Sequence, residues 1–228
     1  MSIAANLAAV KERMAAAARA AGRDPASVGL VAVSKTHGPQ AVRSALAAGQ
    51  TVFGENYVQE AQAKIAAVRG GTWHFIGHLQ SNKARLAAEL FDVIESVDRL
   101  KLARALDRRA QELNKRLGVL LQVNLGGEAQ KSGCAPAEAA ALAQELAARP
   151  GLELMGLMTM PPFFDDPQRA RPIFAGLREL AARLARDLPP GAMRHLSMGM
   201  SGDFEAAIAE GATLVRVGTA IFGERDYS

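Results

Sequence analysis

The sequence predicts an α/β fold, a single (β/α)₈ TIM barrel with an extra N-terminal helix, and three observations carry that expectation. Eight short β-rich runs alternate with seven Ala-, Leu- and Arg-rich helical stretches. Strands joined by helices must run parallel, because each crossover returns the chain to the same edge, and eight such units close a barrel. A chain of 228 residues, 49% of them apolar, suits one domain over 1–228, with no linker or low-complexity tract to divide it. An open doubly wound sheet is the rival. It would carry a Gly-rich turn after its first strand, and Val33-Ser34-Lys35-Thr36-His37-Gly38 is not one.

Taken in order, Ile3, Leu7, Val10 and Met14 recur at helical spacing with Lys11, Glu12 and Arg13 between them, which reads as an amphipathic helix laid against the domain. A secretory signal would place its charge before an unbroken apolar stretch, and this segment does not. The predicted strands are 30–35, 51–55, 72–77, 92–97, 119–125, 152–160, 195–199 and 213–218. The helices between them are 39–48, 57–68, 81–90, 99–116, 136–149, 169–188 and 203–210, and a short tail holds Ile221 and Phe222.

Composition excludes several classes of function. The single cysteine, Cys134, forbids an internal disulfide and suits a reducing compartment. A net charge of +4 spread along helices, with one Trp, two Tyr and eight Phe, argues against nucleic-acid binding. No apolar run approaches the length of a membrane span. The expectation is a soluble cytoplasmic protein.

In such a barrel the active site lies at the C-terminal ends of the strands. Lys35 ends the first strand in phase with Val31 and Val33, so its amine should emerge at the barrel mouth. A lysine with an apolar stem there gives up its proton more readily, and a neutral amine attacks an aldehyde. By phase alone a solvated lysine on an edge strand is an equal reading. After the seventh strand, Met200-Ser201-Gly202-Asp203 opens a helix, where free N–H groups favour an anion. The eighth strand supplies Gly218 and Thr219, the other half of the phosphate site these barrels build from the loops after strands seven and eight. A plain helix cap by Ser201 is the simpler alternative. Arg216 alternates with Val215 and Val217, so its guanidinium should enter the mouth, either toward a ligand or into an ion pair with a strand-end carboxylate such as Glu55.

Longer blocks carry a resemblance. Ala32-Val33-Ser34-Lys35, Phe53-Gly54-Glu55-Asn56-Tyr57-Val58-Gln59-Glu60, and Trp73 through Gly77 with Leu79-Gln80-Ser81-Asn82-Lys83 resemble the pyridoxal phosphate homeostasis proteins. So do Lys131-Ser132-Gly133, Gly156-Leu157-Met158, Leu196 through Asp203 and Arg216 through Phe222, all in order from about residue 28 onward. That family is similar to the barrel domain of alanine racemases. The resemblance implies pyridoxal 5′-phosphate (PLP) as cofactor, held as a Schiff base on Lys35, with Ser201, Gly202, Gly218 and Thr219 on the phosphate. It further implies Arg216 facing the pyridine nitrogen and Asn56 beside the cofactor. His78 stands where relatives often have proline.

Other candidates read as structural. His74 and His78 are four apart but lack a third ligand, so no metal is expected. Cys134 lacks an adjacent histidine and reads as inert. Lys83 and Lys131 read as surface lysines, with a transient second Schiff base as the sharper alternative.

Two functions compete: a PLP enzyme, meaning a racemase or decarboxylase, and a non-catalytic PLP carrier that supplies apo-enzymes. The related racemases add a tyrosine base from a second domain, whereas this sequence ends soon after strand eight and has only Tyr57 and Tyr227. The expectation is therefore a carrier, a monomer, with apo PLP-dependent enzymes as its recipients. A phosphosugar-type barrel enzyme would explain the anion site but not Lys35.

Overall fold

The computed structural model of the chain describes residues 2–127 and 132–224; Lys131 and Tyr227 lie outside them. Helix α1 spans Ile3–Ala20, capped by Ser2, whose hydroxyl accepts the Ala5 N–H. Eight parallel strands then close a barrel in sequence order: β1 (Gly29–Val33), β2 (Val52–Glu55), β3 (Thr72–Phe75), β4 (Val93–Val97), β5 (Leu117–Gln122), β6 (Leu152–Met158), β7 (His195–Ser197) and β8 (Leu214–Val217). Between them lie α2 (Pro39–Ala47), α3 (Val58–Ala67), α4 (Ala84–Leu90), α5 (Leu100–Glu112), α6 (Ala139–Ala147), α7 (Arg171–Leu184) and α8 (Phe204–Ala209). A short α9 (Thr219–Phe222) follows β8. Among the described residues no helix is long and apolar enough to cross a membrane.

Alternation along each strand divides the molecule into two layers. Phe53, Trp73, Phe75, Ile94, Val119, Leu121, Val215 and Val217 join the buried faces of the helices in one apolar shell. The other phase fills the barrel: a Cβ on Gly54 would stand 2.9 Å from Val31 and 3.2 Å from Ile76. Closure comes from β1 against β8, with Val31 opposite Arg216 and Ala32 opposite Val217. That register brings the end of β8 beside the end of β1.

The element order agrees with the sequence expectation, and the boundaries differ in one systematic way. The predicted strands overrun at their C-terminal ends, by Ser34 and Lys35 on β1, Ile76 and Gly77 on β3, 123–125 on β5, Thr159 and Met160 on β6, Met198 and Gly199 on β7 and Gly218 on β8. These residues carry the chain past the ends of the regular strands to the barrel mouth, some of them still bonded to the neighbouring strand, as Ser34 N–H is to the Gly54 carbonyl. The helix expected over 99–116 stops at Glu112, because Asn114 takes φ 51, a left-handed conformation that asparagine tolerates.

Helix α1 buries Leu7, Val10, Met14 and Ala18 on one stripe and packs on α2, α8 and α9. The Asn6 side chain donates to the Ile221 carbonyl at 2.9 Å and Arg23 to that of Ile208 at 2.8 Å. The extra helix thus braces α8 and α9, the two helices next to the mouth.

Candidate functional site

A cavity of about 270 Å³ opens at the C-terminal ends of the strands. Lys35, Asn56, Ser201, Gly202, Arg216, Gly218 and Thr219 all line it, and among the described residues Lys35 is the only lysine that does so. Its remaining wall is largely apolar, with Val33 and Ile76 below and Met160, Pro162 and Phe164 to one side.

Lys35 stands two residues past β1 in a turn. Ser34 before it is fully buried, and Thr36 after it has φ 67. A left-handed β-branched residue costs of order 1–3 kcal/mol, so the surrounding structure must impose this turn. Asn56 leaves β2 across a close approach: a Cβ on Gly77 would lie 2.4 Å from the Asn56 carbonyl oxygen. The Asn56 amide oxygen is buried and has no hydrogen-bond partner. An orphaned acceptor beside a cavity points to a ligand donor or a water.

Gly199 turns the chain out of β7 at φ 92, and a Cβ there would stand 2.6 Å from Ala207. Only glycine suits both the dihedral and the space. Ser201 and Gly202 follow in a turn ahead of α8. Asp203, not Ser201, holds the N-cap position of that helix, makes no side-chain cap bond, and accepts the Met200 N–H on its carboxylate at 2.6 Å. The plain-cap alternative for Ser201 is therefore corrected. Thr219 is the first residue of α9, where leading N–H groups lack intrahelical partners. Two chain turns, each with a hydroxyl and a glycine, thus meet at one side of the cavity.

Arg216 is 3% exposed and fixed at two points. Its guanidinium donates to Ser197 Oγ at 2.7 Å and to the Thr159 carbonyl at 2.9 Å. Ser197 in turn donates to Glu95 Oε2 at 2.5 Å, and Glu95 Oε1 meets His74 Nδ1 at 2.6 Å. Glu95 is thus the carboxylate behind Arg216. The alternative of a Glu55 ion pair is corrected: Glu55 faces the helix layer, where Lys64 Nζ lies 2.7 Å away and Ser34 Oγ 2.6 Å.

Burial lowers the Arg216 pKa from its ordinary value, against the charges of Glu95 and Asp203. Burial alone would raise Glu95, but the His74 bond and charge, with Arg216 and Ser197, hold it below the glutamate value. Burial pushes the Asp203 carboxyl up, opposed by the Met200 N–H and by Arg216. Arg216, Ser197, Glu95 and His74 form one buried polar column under the cavity, in a barrel interior that is otherwise mainly apolar, while Asp203 lines the cavity itself.

The remaining sequence candidates separate. His74 belongs to that column, while exposed His78 pairs through Nδ1 with Ser132 Oγ at 2.9 Å. Lys83 does not line the cavity, and Lys131 is outside the described residues. Cys134 is buried, and burial, with Glu138 and Asp98, pushes its thiol up to about 12. At pH 8 its thiolate fraction is then lower than that of an ordinary cysteine by on the order of a thousandfold. Iodoacetamide at that pH should label it only in denaturant, as read by mass spectrometry; ready labelling of the folded protein would contradict this burial.

Sequence reasoning missed His74, Glu95 and Ser197 as a unit, and also Asp203 and the apolar wall after β6. A usable signal existed for the first three. Each is polar in the inward phase of its strand, and three such residues in one barrel must satisfy one another. The wall lay hidden in the apolar run Met158 to Phe164, whose prolines end the strand.

The sequence profile of the alanine racemase N-terminal domain matches residues 5–226. The chain is 52% identical over 228 residues to the pyridoxal phosphate homeostasis protein of Pseudomonas aeruginosa, covering 99% of this chain and 97% of that one. It is 46% identical over 239 residues to the protein of that name from Escherichia coli, covering 99% and 98%. Among solved structures, PipY of Synechococcus elongatus with PLP bound superposes with a TM-score of 0.85 at 43% identity, covering 97% of this chain and all of that one.

Proposed function

Since the chain belongs to the pyridoxal phosphate homeostasis protein family, we propose that it binds PLP in the cavity, held as a Schiff base on Lys35, and supplies it to apo-enzymes without turnover of its own. The observation that carries this reading is the convergence of one lysine, two hydroxyl-bearing turns and a fixed arginine on one cavity. The residues present fit the cofactor. Lys35 Nζ would be the attachment point, forming a C=N bond with the aldehyde carbon as water leaves. Ser201 and Thr219, with the N–H groups of their turns, would hold the phosphate dianion. Arg216 would face the ring nitrogen, and the orphaned Asn56 oxygen would gain a donor.

When bound, PLP supplies an aldehyde and an electron-withdrawing ring. What the chain does with them depends on its own groups. Arg216 stays cationic, and a cation facing the ring nitrogen disfavours its protonation and weakens the ring as an electron sink. Two-sided proton transfer also needs a second base on the far face. Tyr57 is 59% exposed and does not line the cavity. The weakened ring favours carrier over racemase or decarboxylase, and among the described residues no tyrosine lines the cavity to act as the racemases' second base. A cytoplasmic location is part of the proposal, resting on the buried free Cys134. So is a monomeric state, for which light scattering is the check.

Apo PLP enzyme mixed with the holo-protein should regain activity, while the holo-protein itself should exchange only trace α-deuterium from any common amino acid. Turnover of alanine or a basic amino acid at ordinary enzyme rates, roughly 1–10³ s⁻¹, would overturn the carrier reading.

A further inference from the structure

The block Glu55 through Lys64 contributes only Asn56 to the cavity, yet it holds the most concentrated buried charge outside the Arg216 column. Lys64 is 4% exposed at its side chain and Glu55 0%. Lys64 Nζ touches Glu55 Oε1 at 2.7 Å, Glu60 Oε1 at 2.6 Å and the Ser34 carbonyl at 2.6 Å. Glu55 Oε1 accepts the Ser34 hydroxyl at 2.6 Å, and Glu60 Oε1 accepts the Thr36 N–H at 2.6 Å. The second Glu55 oxygen has no partner, and burial raises the carboxyl despite Lys64.

A buried ion pair with an unsatisfied oxygen is a poor device for stability, since desolvation offsets most of the attraction. Its contacts identify another use. The side-chain bonds that Glu55, Glu60 and Lys64 make beyond one another end on Ser34 or Thr36, the two residues flanking Lys35. One of these is held at φ 67, a conformation threonine rarely adopts unaided.

We propose that Glu55, Glu60 and Lys64 are positioning residues that clamp the turn bearing Lys35, and thereby set where its amine meets an aldehyde. The clamp, drawn from the end of β2 and from α3, fixes the backbone on both sides of Lys35. It touches no ligand. This inference rests on the proposed attachment of PLP to Lys35.

The test compares PLP with pyridoxine 5′-phosphate, which keeps the ring and phosphate but has no aldehyde. Glu60→Ala removes the acceptor for the Thr36 N–H, and Glu60→Gln keeps a carbonyl oxygen there. Misplacing a reacting group by about 1 Å costs on the order of a hundredfold in rate, so Glu60→Ala should slow appearance of the visible PLP adduct by about tenfold or more. Its affinity for pyridoxine 5′-phosphate should stay within about twofold, because the clamp's side-chain bonds end on Ser34 and Thr36 and none goes to Ser201, Gly202, Gly218 or Thr219. Glu60→Gln should recover most of the rate. Lys64→Met should show the same separation more strongly, and if it does not fold, the Glu60 pair decides alone. Equal losses for both ligands would reduce the cluster to a structural role and overturn the proposal, as would unchanged capture in Glu60→Ala. Wild-type protein that yields no borohydride-fixed adduct on Lys35 would instead remove the attachment reading beneath it, and this proposal with it.

Discussion

Lys35→Ala is expected to give a colourless protein on incubation with PLP, with no adduct that borohydride can fix, whereas the unaltered protein should turn yellow and label on the peptide containing Lys35. The loss should be complete because the geometry offers no substitute amine. Among the described residues no other lysine lines the cavity. Lys64, which bonds the Ser34 carbonyl next to Lys35, has its ammonium engaged by Glu55, Glu60 and that carbonyl and is almost fully buried. Lys83 lies on the short turn ahead of α4, outside the cavity lining. Mass spectrometry of the reduced, digested protein reads the outcome. Label on Lys83 or Lys131 at wild-type yield in the variant would show that the attachment point is not at the end of β1.

The second large effect is expected at the turns that follow β7 and β8. Ser201→Ala with Thr219→Val should weaken PLP binding by roughly two to four powers of ten, taking each charge-assisted bond to phosphate as about 1.5–3 kcal/mol. Binding of pyridoxal, which lacks the phosphate, should hardly change. The contrast follows from placement. Ser201 lies in the turn that Gly199 directs out of β7, and Thr219 opens α9 after β8. Neither residue belongs to the buried core, and Asp203 rather than Ser201 holds the N-cap position of α8. The ligand difference therefore isolates anion recognition from fold stability. Equal losses for the two ligands, measured by titration of the visible band, would mean that the turns do not hold a phosphate.

Much of this molecule was legible in the linear sequence because its information is local. Alternating strand and helix patterns specify a parallel sheet, and eight repeats specify closure. The stripe Leu7, Val10, Met14 marks the face that α1 buries. Lys35, Arg216, the Ser201–Gly202 turn and the Gly218–Thr219 turn follow from two facts together: they stand at strand ends, and that end of such a barrel carries the site. The strand overruns belong to the same lesson. Alternation persists through Lys35, Ile76, Met160 and Gly218 although the regular strands have ended, and these residues line the cavity.

What the tertiary structure alone decided was partnership across the barrel. Phase tells which face a side chain occupies but not which residue it meets, since that depends on how strands are staggered when β1 closes on β8. Arg216 therefore meets Ser197 and the Thr159 carbonyl, with Glu95 behind, rather than Glu55. For Glu55 even the face was unreadable. In Val52-Phe53-Gly54-Glu55 the inward position is taken by a glycine, which carries no hydrophobic sign, so the alternation does not say which way the carboxylate points. Local periodicity thus determined the barrel and the end that bears the site. Closure of the sheet, which sets distances between residues far apart in the chain, determined what holds Arg216 and the turn around Lys35 in place.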